Sequence, residues 1–159
     1  MIQTSLLWRK GKMQIFVLSI NPNNFDICEA GLIFGMRVGT KKYDFNKGDL
    51  FLVRTTGKDY GVSGIWVFEE QQAVKEGTVI PWTDAEYDLI LKFKPLILKF
   101  KEVFREEFIG KSKYSEKIKM NAVRLAGSII HLSNQESINY LNALLKEKYH
   151  ELTMNAEYM

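Results

Sequence analysis

The residues of this chain that could perform covalent chemistry are few and poorly arranged for it. Cys28 is the only cysteine and has no histidine near it in sequence, and the only histidines are His131 and His150. The carboxylates of Glu69–Glu70 and of Glu106–Glu107 are sequence neighbours, whose side chains point apart on a strand or a helix. These patterns argue against a disulfide framework, a metal site and an acid/base pair. We therefore expect a protein that is not an enzyme and uses neither cofactor nor metal.

Aromatic side chains are more abundant than the residues that could perform covalent chemistry. Ten Phe, seven Tyr and three Trp make up 13% of the 159 residues. Such rings fill hydrophobic cores, and they also form surfaces on which nucleic-acid bases stack. The net charge is +3, from 22 basic and 19 acidic residues, with several lysines between Gly110 and Lys119. This balance permits nucleic-acid binding where the basic residues cluster.

Other classes of protein are disfavoured by what the chain lacks. No glycine-rich phosphate loop stands between a strand and a helix, and no nucleophile elbow or zinc-binding helix motif is present. No run of 18 apolar residues indicates a membrane span. Residues 1–13 lack the apolar region and cleavage site of a signal peptide. We expect a single soluble domain in the cytoplasm, without membrane contact.

Hydrophobic periodicity and turn residues predict the elements that position these groups. Strands are expected where apolar, β-branched runs are bounded by Gly, Pro or Asn, and the segments on either side of residues 55–59 are expected to form a hairpin. The predicted strands are 13–20, 32–36, 50–54, 60–68 and 87–94, with 96–100 resuming after Pro95. Helices are predicted at 24–30, closed by Gly31, at 101–108, and after a capping box at Ser133–Glu136. The pattern indicates a small mixed sheet, a barrel with few helices.

The order of these segments resembles that of EVE domains, which are relatives of YTH domains in the PUA-like superfamily. The resemblance spans residues 14–148 and rests on several short motifs taken together. Phe34 stands where many relatives carry Trp. The motifs are Phe-Val-Leu-Ser (16–19) with Asn-Pro-Asn-Asn-Phe (21–25), Gly-Leu-Ile-Phe-Gly (31–35), Lys-Gly-Asp-Leu-Phe-Leu (47–52), Gly-Val-Ser-Gly-Ile-Trp-Val-Phe (61–68) and Pro-Trp-Thr-Asp (81–84).

The resemblance implies an α+β fold of the PUA-like EVE type, a small mixed β-barrel with flanking helices. It would occupy residues 13–150, between an N-terminal extension (1–12) and a C-terminal tail (151–159). The function that it implies is reading of methylated DNA, with N6-methyladenine or 5-methylcytosine flipped into an aromatic cage. In modification-dependent restriction systems such a reader works with a GTPase motor domain and a nuclease subunit, which are the implied partners.

The same resemblance implies a set of site residues. Phe34, Trp82 and Tyr87 would form the cage; Ser19, Ile20 and Asn21 would meet the base edge, and Thr55 and Thr56 would lie at the mouth. Phosphate contacts would come from Arg124, Lys111, Lys113, Lys117 and Lys119.

Two alternatives stay open at this point. One is an RNA-binding domain that recognises modified or single-stranded RNA, and the other is a small enzyme or a protein-interaction module on the same fold. For single residues the competing interpretation is structural. Phe34 and Trp82 could belong to the core, and the lysines could lie in a solvated loop.

Overall fold

The computed structural model describes residues 13–40, 42–55, 61–104, 129–132, 141–144, 146–148 and 150. Within these ranges six strands form one mixed sheet that curls into a half-barrel. The elements are β1 Ile15–Ile20, α1 Pro22–Gly31, β2 Ile33–Arg37, β3 Leu50–Thr55, β4 Gly61–Ala73, β5 Tyr87–Ile97 and β6 Ile129–His131. The domain is therefore of the α+β class, with a sheet that is loosely compatible with a small barrel.

The strands follow the order β2-β5-β4-β3-β1-β6 across the sheet. β1 and β3 pair in parallel, whereas the other neighbours pair antiparallel. The predicted hairpin is confirmed by the β3–β4 pairing. The short strand β6, which pairs with β1 across Leu18 and Ile129, was not predicted from the sequence.

Strand β1 is buried along its whole length because both of its faces are covered. Side chains alternate across a strand, so its residues divide between two cores. We call the first the aliphatic face; it includes Ile15, Val17 and Leu52, and helical residues 141–144 contribute Leu141 and Leu144 to it. We call the second the aromatic face. Its rings are Phe16, Phe25, Phe34, Phe51, Trp66, Phe68, Trp82, Tyr87 and Phe93.

Helix α1 begins earlier than the sequence predicts. Asn21 caps it by accepting a hydrogen bond from the Asn23 N–H at 3.0 Å, and Pro22 fits the first turn because its missing N–H is not needed there. Gly31 stays helical, and Leu32 adopts the left-handed conformation (φ 51°) that ends the helix. The predicted closure at Gly31 is thus displaced by one residue.

Two further differences have physical causes. β5 runs through Pro95 without a break, because β2 pairs only with the part of β5 up to Lys92 and the proline needs no hydrogen bond toward that side. The helical turn predicted at 101–108 is not formed by residues 101–104, which are the part of it that the structure describes. Phe104 instead forms an antiparallel bridge with Val62.

Several predictions fall on residues outside the described ranges, among them the capping box at Ser133–Glu136 and the two terminal segments. In the part of the chain that is described, no helix is long and apolar enough to cross a membrane.

Candidate functional site

A cavity opens on the aromatic face, at the point where β1 ends and α1 begins. Its walls come from β1, α1, β2, the first residue of β5 and the loop that joins β4 to β5. The cavity itself is small, with a volume of about 20 Å³, which is room for one water molecule and not for a ring. The lining residues are Ile20, Asn21, Asn24, Cys28, Phe34, Gly35, Arg37, Trp82 and Tyr87.

Three aromatic residues line the cavity, but alternation along β2 turns the Phe34 side chain to the face opposite the Gly35 Cβ direction, in which Trp82 and Tyr87 lie. Phe34 lies on β2, Tyr87 begins β5 opposite Arg37, and Trp82 is carried by the β4–β5 loop. The indole and the phenol touch, with ring centroids 5.2 Å apart and planes inclined by 46°. Such a tilted contact is a favourable ring packing, and it leaves no room for a third ring between them. A flat ligand therefore fits only if Trp82 and Tyr87 separate.

Gly35 allows both rings to lie directly on strand β2. A Cβ atom at this position would stand 2.7 Å from Cζ3 of Trp82 and 2.7 Å from Cδ1 of Tyr87. Both distances are well below van der Waals contact, so any larger residue would displace the rings. The glycine is thus required for the shape of the cavity floor.

Asp84 ties the β4–β5 loop to the rest of the wall. Its carboxylate accepts hydrogen bonds from the Tyr87 hydroxyl, from Asn24 Nδ2 at 3.2 Å and from Arg37 Nη2 at 3.0 Å. These bonds, the one from Tyr87 above all, hold the pKa of Asp84 below its usual value of 3.8. Asp84 therefore stays ionised at neutral pH and links the loop to α1 and β2.

Cys28 and Trp82 face each other inside the wall. The Cε3–Cζ3 edge of the indole lies on Gly35, so Nε1 is on the edge away from Gly35, and its interaction with Cys28 places it beside α1. Burial raises the pKa of the Cys28 thiol to about 12, and the nearby indole N–H offsets this only in part. Even so, Nε1 is buried without a hydrogen-bond partner. The group beside it is a neutral thiol, not a nucleophilic thiolate.

The structure brings five of the predicted base-binding residues to this one cavity: Ile20, Asn21, Phe34, Trp82 and Tyr87. Ser19 is not brought there, because alternation along β1 turns its side chain to the aliphatic face, beside Arg54. Thr55 pairs with Ile20 in the sheet, but its hydroxyl reaches the Gly61 carbonyl at 3.4 Å and does not line the cavity.

The remaining predicted contacts lie outside the described residues. They are Thr56 at the mouth and the phosphate-binding set Arg124, Lys111, Lys113, Lys117 and Lys119.

Four lining residues were missed by the sequence analysis, namely Asn24, Cys28, Gly35 and Arg37. Two of them carried a usable signal. Cys28 stands three positions after Phe25, which places both on the buried face of a helix. Gly35 lies inside a predicted strand, where a glycine indicates a close approach by another group. Asn24 and Arg37 carried none, because their partner Asp84 is 60 and 47 positions away.

The described part of the chain contains no group of three or more His, Cys, Asp or Glu side chains that could hold a metal ion. The cavity wall carries aromatic surfaces, amide groups and one guanidinium, which could contact a planar polar ring only after Trp82 and Tyr87 separate. Comparison with models of known protein families finds no match, and comparison with curated proteins finds none.

Proposed function

We propose that this chain is a PUA-like domain of the EVE type that reads a methylated base in DNA. The observation that carries the proposal is the convergence of Ile20, Asn21, Phe34, Trp82 and Tyr87 on one cavity. These residues come from four separate stretches of the chain, and all five are ones to which the resemblance assigns base contacts. The assignment to the EVE type rests on the ordered sequence motifs.

The chemistry of the wall suits a single base that has left its stack. Stacking on an aromatic ring stabilises a base by about 1–3 kcal/mol, which is comparable with the few kcal/mol that base flipping costs. Burying one methyl group adds about 0.8 kcal/mol, which is roughly a fourfold preference. A tight cavity strengthens this preference, because an unmodified base leaves a gap where the methyl group would lie.

Entry of the base requires a rearrangement of the loop that carries Trp82. The ring contact between Trp82 and Tyr87 closes the cavity, and Asp84 anchors the loop to Asn24 and Arg37. In the proposed mechanism the loop swings outward, the base enters, and Trp82 closes over it. Stacking of the base on Trp82 then compensates for the lost contact between the Trp82 and Tyr87 rings.

Arg37 supplies a cation at the mouth of the cavity. Its side chain is 39% exposed and forms an ion pair with Asp84. An arginine in this position can also hold the phosphate next to the flipped base, with two parallel hydrogen bonds. Arg37 would add to the proposed phosphate contacts of Arg124 and the lysines between 111 and 119, and binding should weaken steeply as salt rises.

The proposal assigns recognition to this domain and cleavage to partners, a GTPase motor domain and a nuclease subunit. A binding panel tests the recognition step. Single-stranded and duplex oligonucleotides with one N6-methyladenine, one 5-methylcytosine or neither, as DNA and as RNA, are titrated by fluorescence anisotropy at fixed salt. We expect the tightest binding to a methylated DNA, and equal affinity for all of them would overturn the proposal. A preference for RNA would instead favour the alternative that this domain binds RNA.

Trp82→Ala tests whether the cavity carries this preference. It should abolish discrimination between methylated and unmethylated DNA while the domain keeps its circular dichroism spectrum. Val79→Ala is a suitable control, since Val79 lies on the same β4–β5 loop, is 87% exposed and does not line the cavity. A variant that stays folded and still discriminates would show that the base binds elsewhere.

A further inference from the structure

The Asp84 carboxylate accepts hydrogen bonds from three different elements at the mouth of the cavity. Asn24 Nδ2 on α1 donates to it at 3.2 Å, and Arg37 Nη2 on β2 donates to it at 3.0 Å. The Tyr87 hydroxyl on β5 is the third donor. All three donors belong to a helix or strands and line the cavity, whereas the acceptor belongs to the β4–β5 loop. The wall thus contains an anion site that is filled by a carboxylate of the loop.

The chemistry of these donors suits a phosphate group as well as a carboxylate. A guanidinium binds two phosphate oxygens with parallel hydrogen bonds, and an amide N–H and a hydroxyl can donate to the remaining lone pairs. Burial and the bond to Asp84 raise the pKa of Tyr87 to about 12, so its hydroxyl keeps its proton and remains a donor at neutral pH. A phosphate that replaces Asp84 therefore leaves none of the three donors unpaired.

The contact between Arg37 and Asp84 is one that an anion from solvent can replace at little cost. The two side chains are 39% and 36% exposed, and ion pairs in such positions contribute little to stability. Among the neighbours that lower the pKa of Asp84, Tyr87 has the largest effect and the Arg37 charge the smallest. A phosphate that is held near the mouth by a bound base competes for this guanidinium at a high local concentration.

We propose that the three donors form a phosphate-binding site, which Asp84 fills in the closed state, and that binding of a phosphate releases the β4–β5 loop. The two anions exclude each other, because like charges repel at such short distances. Asp84 lies two positions after Trp82, so release of the carboxylate frees the segment that carries the indole. This inference rests on the proposed function for the source of the phosphate, which is the DNA backbone beside the flipped base, but the exchange itself needs no base.

Release of the loop can be measured as modification of Cys28 by a thiol reagent, since this residue is buried in the cavity wall beside Trp82. The probe is inorganic phosphate at pH 8, with sodium chloride added to hold the ionic strength constant. In the wild type, the rate should rise several-fold with phosphate and then level off. Arg37→Gln breaks the contact with Asp84 and removes the cation, so its rate should be high without phosphate and should not respond to it.

Lys75→Gln is the matched control for the loss of a positive charge. Lys75 is an exposed residue of the same loop and does not line the cavity. This variant should respond to phosphate as the wild type does.

A second titration tests whether DNA supplies the phosphate. The oligonucleotide with the preferred methylated base is compared with forms that carry a neutral methylphosphonate linkage on either side of that base. One neutral linkage should weaken binding to the wild type several-fold, whereas Arg37→Gln should bind all forms with the same, lower affinity. Asp84→Asn should bind the natural form more tightly than the wild type does, because the competing charge is gone. A purely structural role of Asp84 would weaken binding instead.

The outcomes separate this inference from the proposed function. If phosphate leaves the rate of Cys28 modification unchanged, or raises it equally in the wild type and in Arg37→Gln, the inference is overturned whatever the base preference. If phosphate releases the loop but the neutral linkages do not weaken binding, the site takes free phosphate and its assignment to the DNA backbone is overturned. A phosphate response without any preference for a methylated base overturns the proposed function alone.

Discussion

The aromatic face contains two regions in which the same residue types have different roles. Its centre is a set of interlocked rings, in which Phe16 and Phe51 stack at 5.0 Å and Phe51 meets Phe93 edge-on at 4.9 Å. Its other end is the cavity, where Trp82 and Tyr87 touch but Nε1 of Trp82 has no acceptor. The centre lies within paired strands, whereas the cavity depends on a loop. Rings held by strands stabilise the fold, and a ring held by a loop can leave its neighbours to admit a ligand.

The largest expected effect comes from removing a ring at the centre. Phe51 is fully buried among other rings, so Phe51→Ala should lower the free energy of unfolding by about 3–5 kcal/mol. Phe34→Ala, at the edge of the cavity, should lower it less, because the neighbouring loop can relax into the space. Urea denaturation of both variants measures the difference. Equal losses would show that the cavity end is as rigid a part of the core as the centre.

Gly35→Ala perturbs the cavity by adding a methyl group and removes no existing contact group. The new methyl would lie 2.7 Å from both Trp82 and Tyr87, so we expect a loss of about 1–3 kcal/mol in stability together with a loss of methylated-base preference. Denaturation and the binding panel measure the two effects. Gly31→Ala is the control, since its methyl would meet only the side chain of Ile33, at 3.2 Å, and alanine favours the helix. If Gly35→Ala retained binding, the ring arrangement over the glycine would not matter to the ligand.

The two regions also differ in how well the sequence predicts them. β1 and the β3–β4 hairpin follow from apolar, β-branched runs, because burial of such runs is decided locally along the chain. The route of β5 through Pro95 depends on where β2 stops, and the role of Gly35 depends on rings that are remote in sequence. The Asp84 contacts likewise join residues 47 and 60 positions apart. Resemblance identified the aromatic residues, but the polar contacts that close the cavity required the structure.

Alkaline pH should weaken the cavity end selectively. Burial and the hydrogen bond to Asp84 raise the pKa of Tyr87 from 10.0 to about 12. The folded state therefore holds this proton more tightly than the unfolded chain does, and the resulting stability is fully present below pH 10 and is lost as pH rises toward 12. Tyr87→Phe should flatten that part of the stability profile, measured by urea denaturation between pH 9 and 12. If the free energy of unfolding fell equally steeply with pH in the wild type and in Tyr87→Phe, Tyr87 would not be the source of the alkaline loss.

The smallest expected change in stability comes from loosening the loop at Asp84. Its ion pair with Arg37 is partly exposed, so Asp84→Asn should cost less than about 1 kcal/mol. It should nevertheless speed the modification of Cys28 by a thiol reagent at pH 8 several-fold, because the thiol lies behind the loop. Cys28 is the only cysteine in the chain, so the rate reports on this position alone.

A change in reactivity could also arise from electrostatics, because the Asp84 charge contributes to the raised pKa of Cys28. Asn24→Ala breaks a contact of the same loop without altering charge, and it should also raise the rate. Asp88→Asn removes a carboxylate that pairs with Lys42 at 2.8 Å, away from the cavity, and should leave the rate unchanged. A rise in Asp84→Asn alone would attribute the effect to charge. A rise in both Asp84→Asn and Asn24→Ala would show that the cavity end opens where the centre of the aromatic face stays closed.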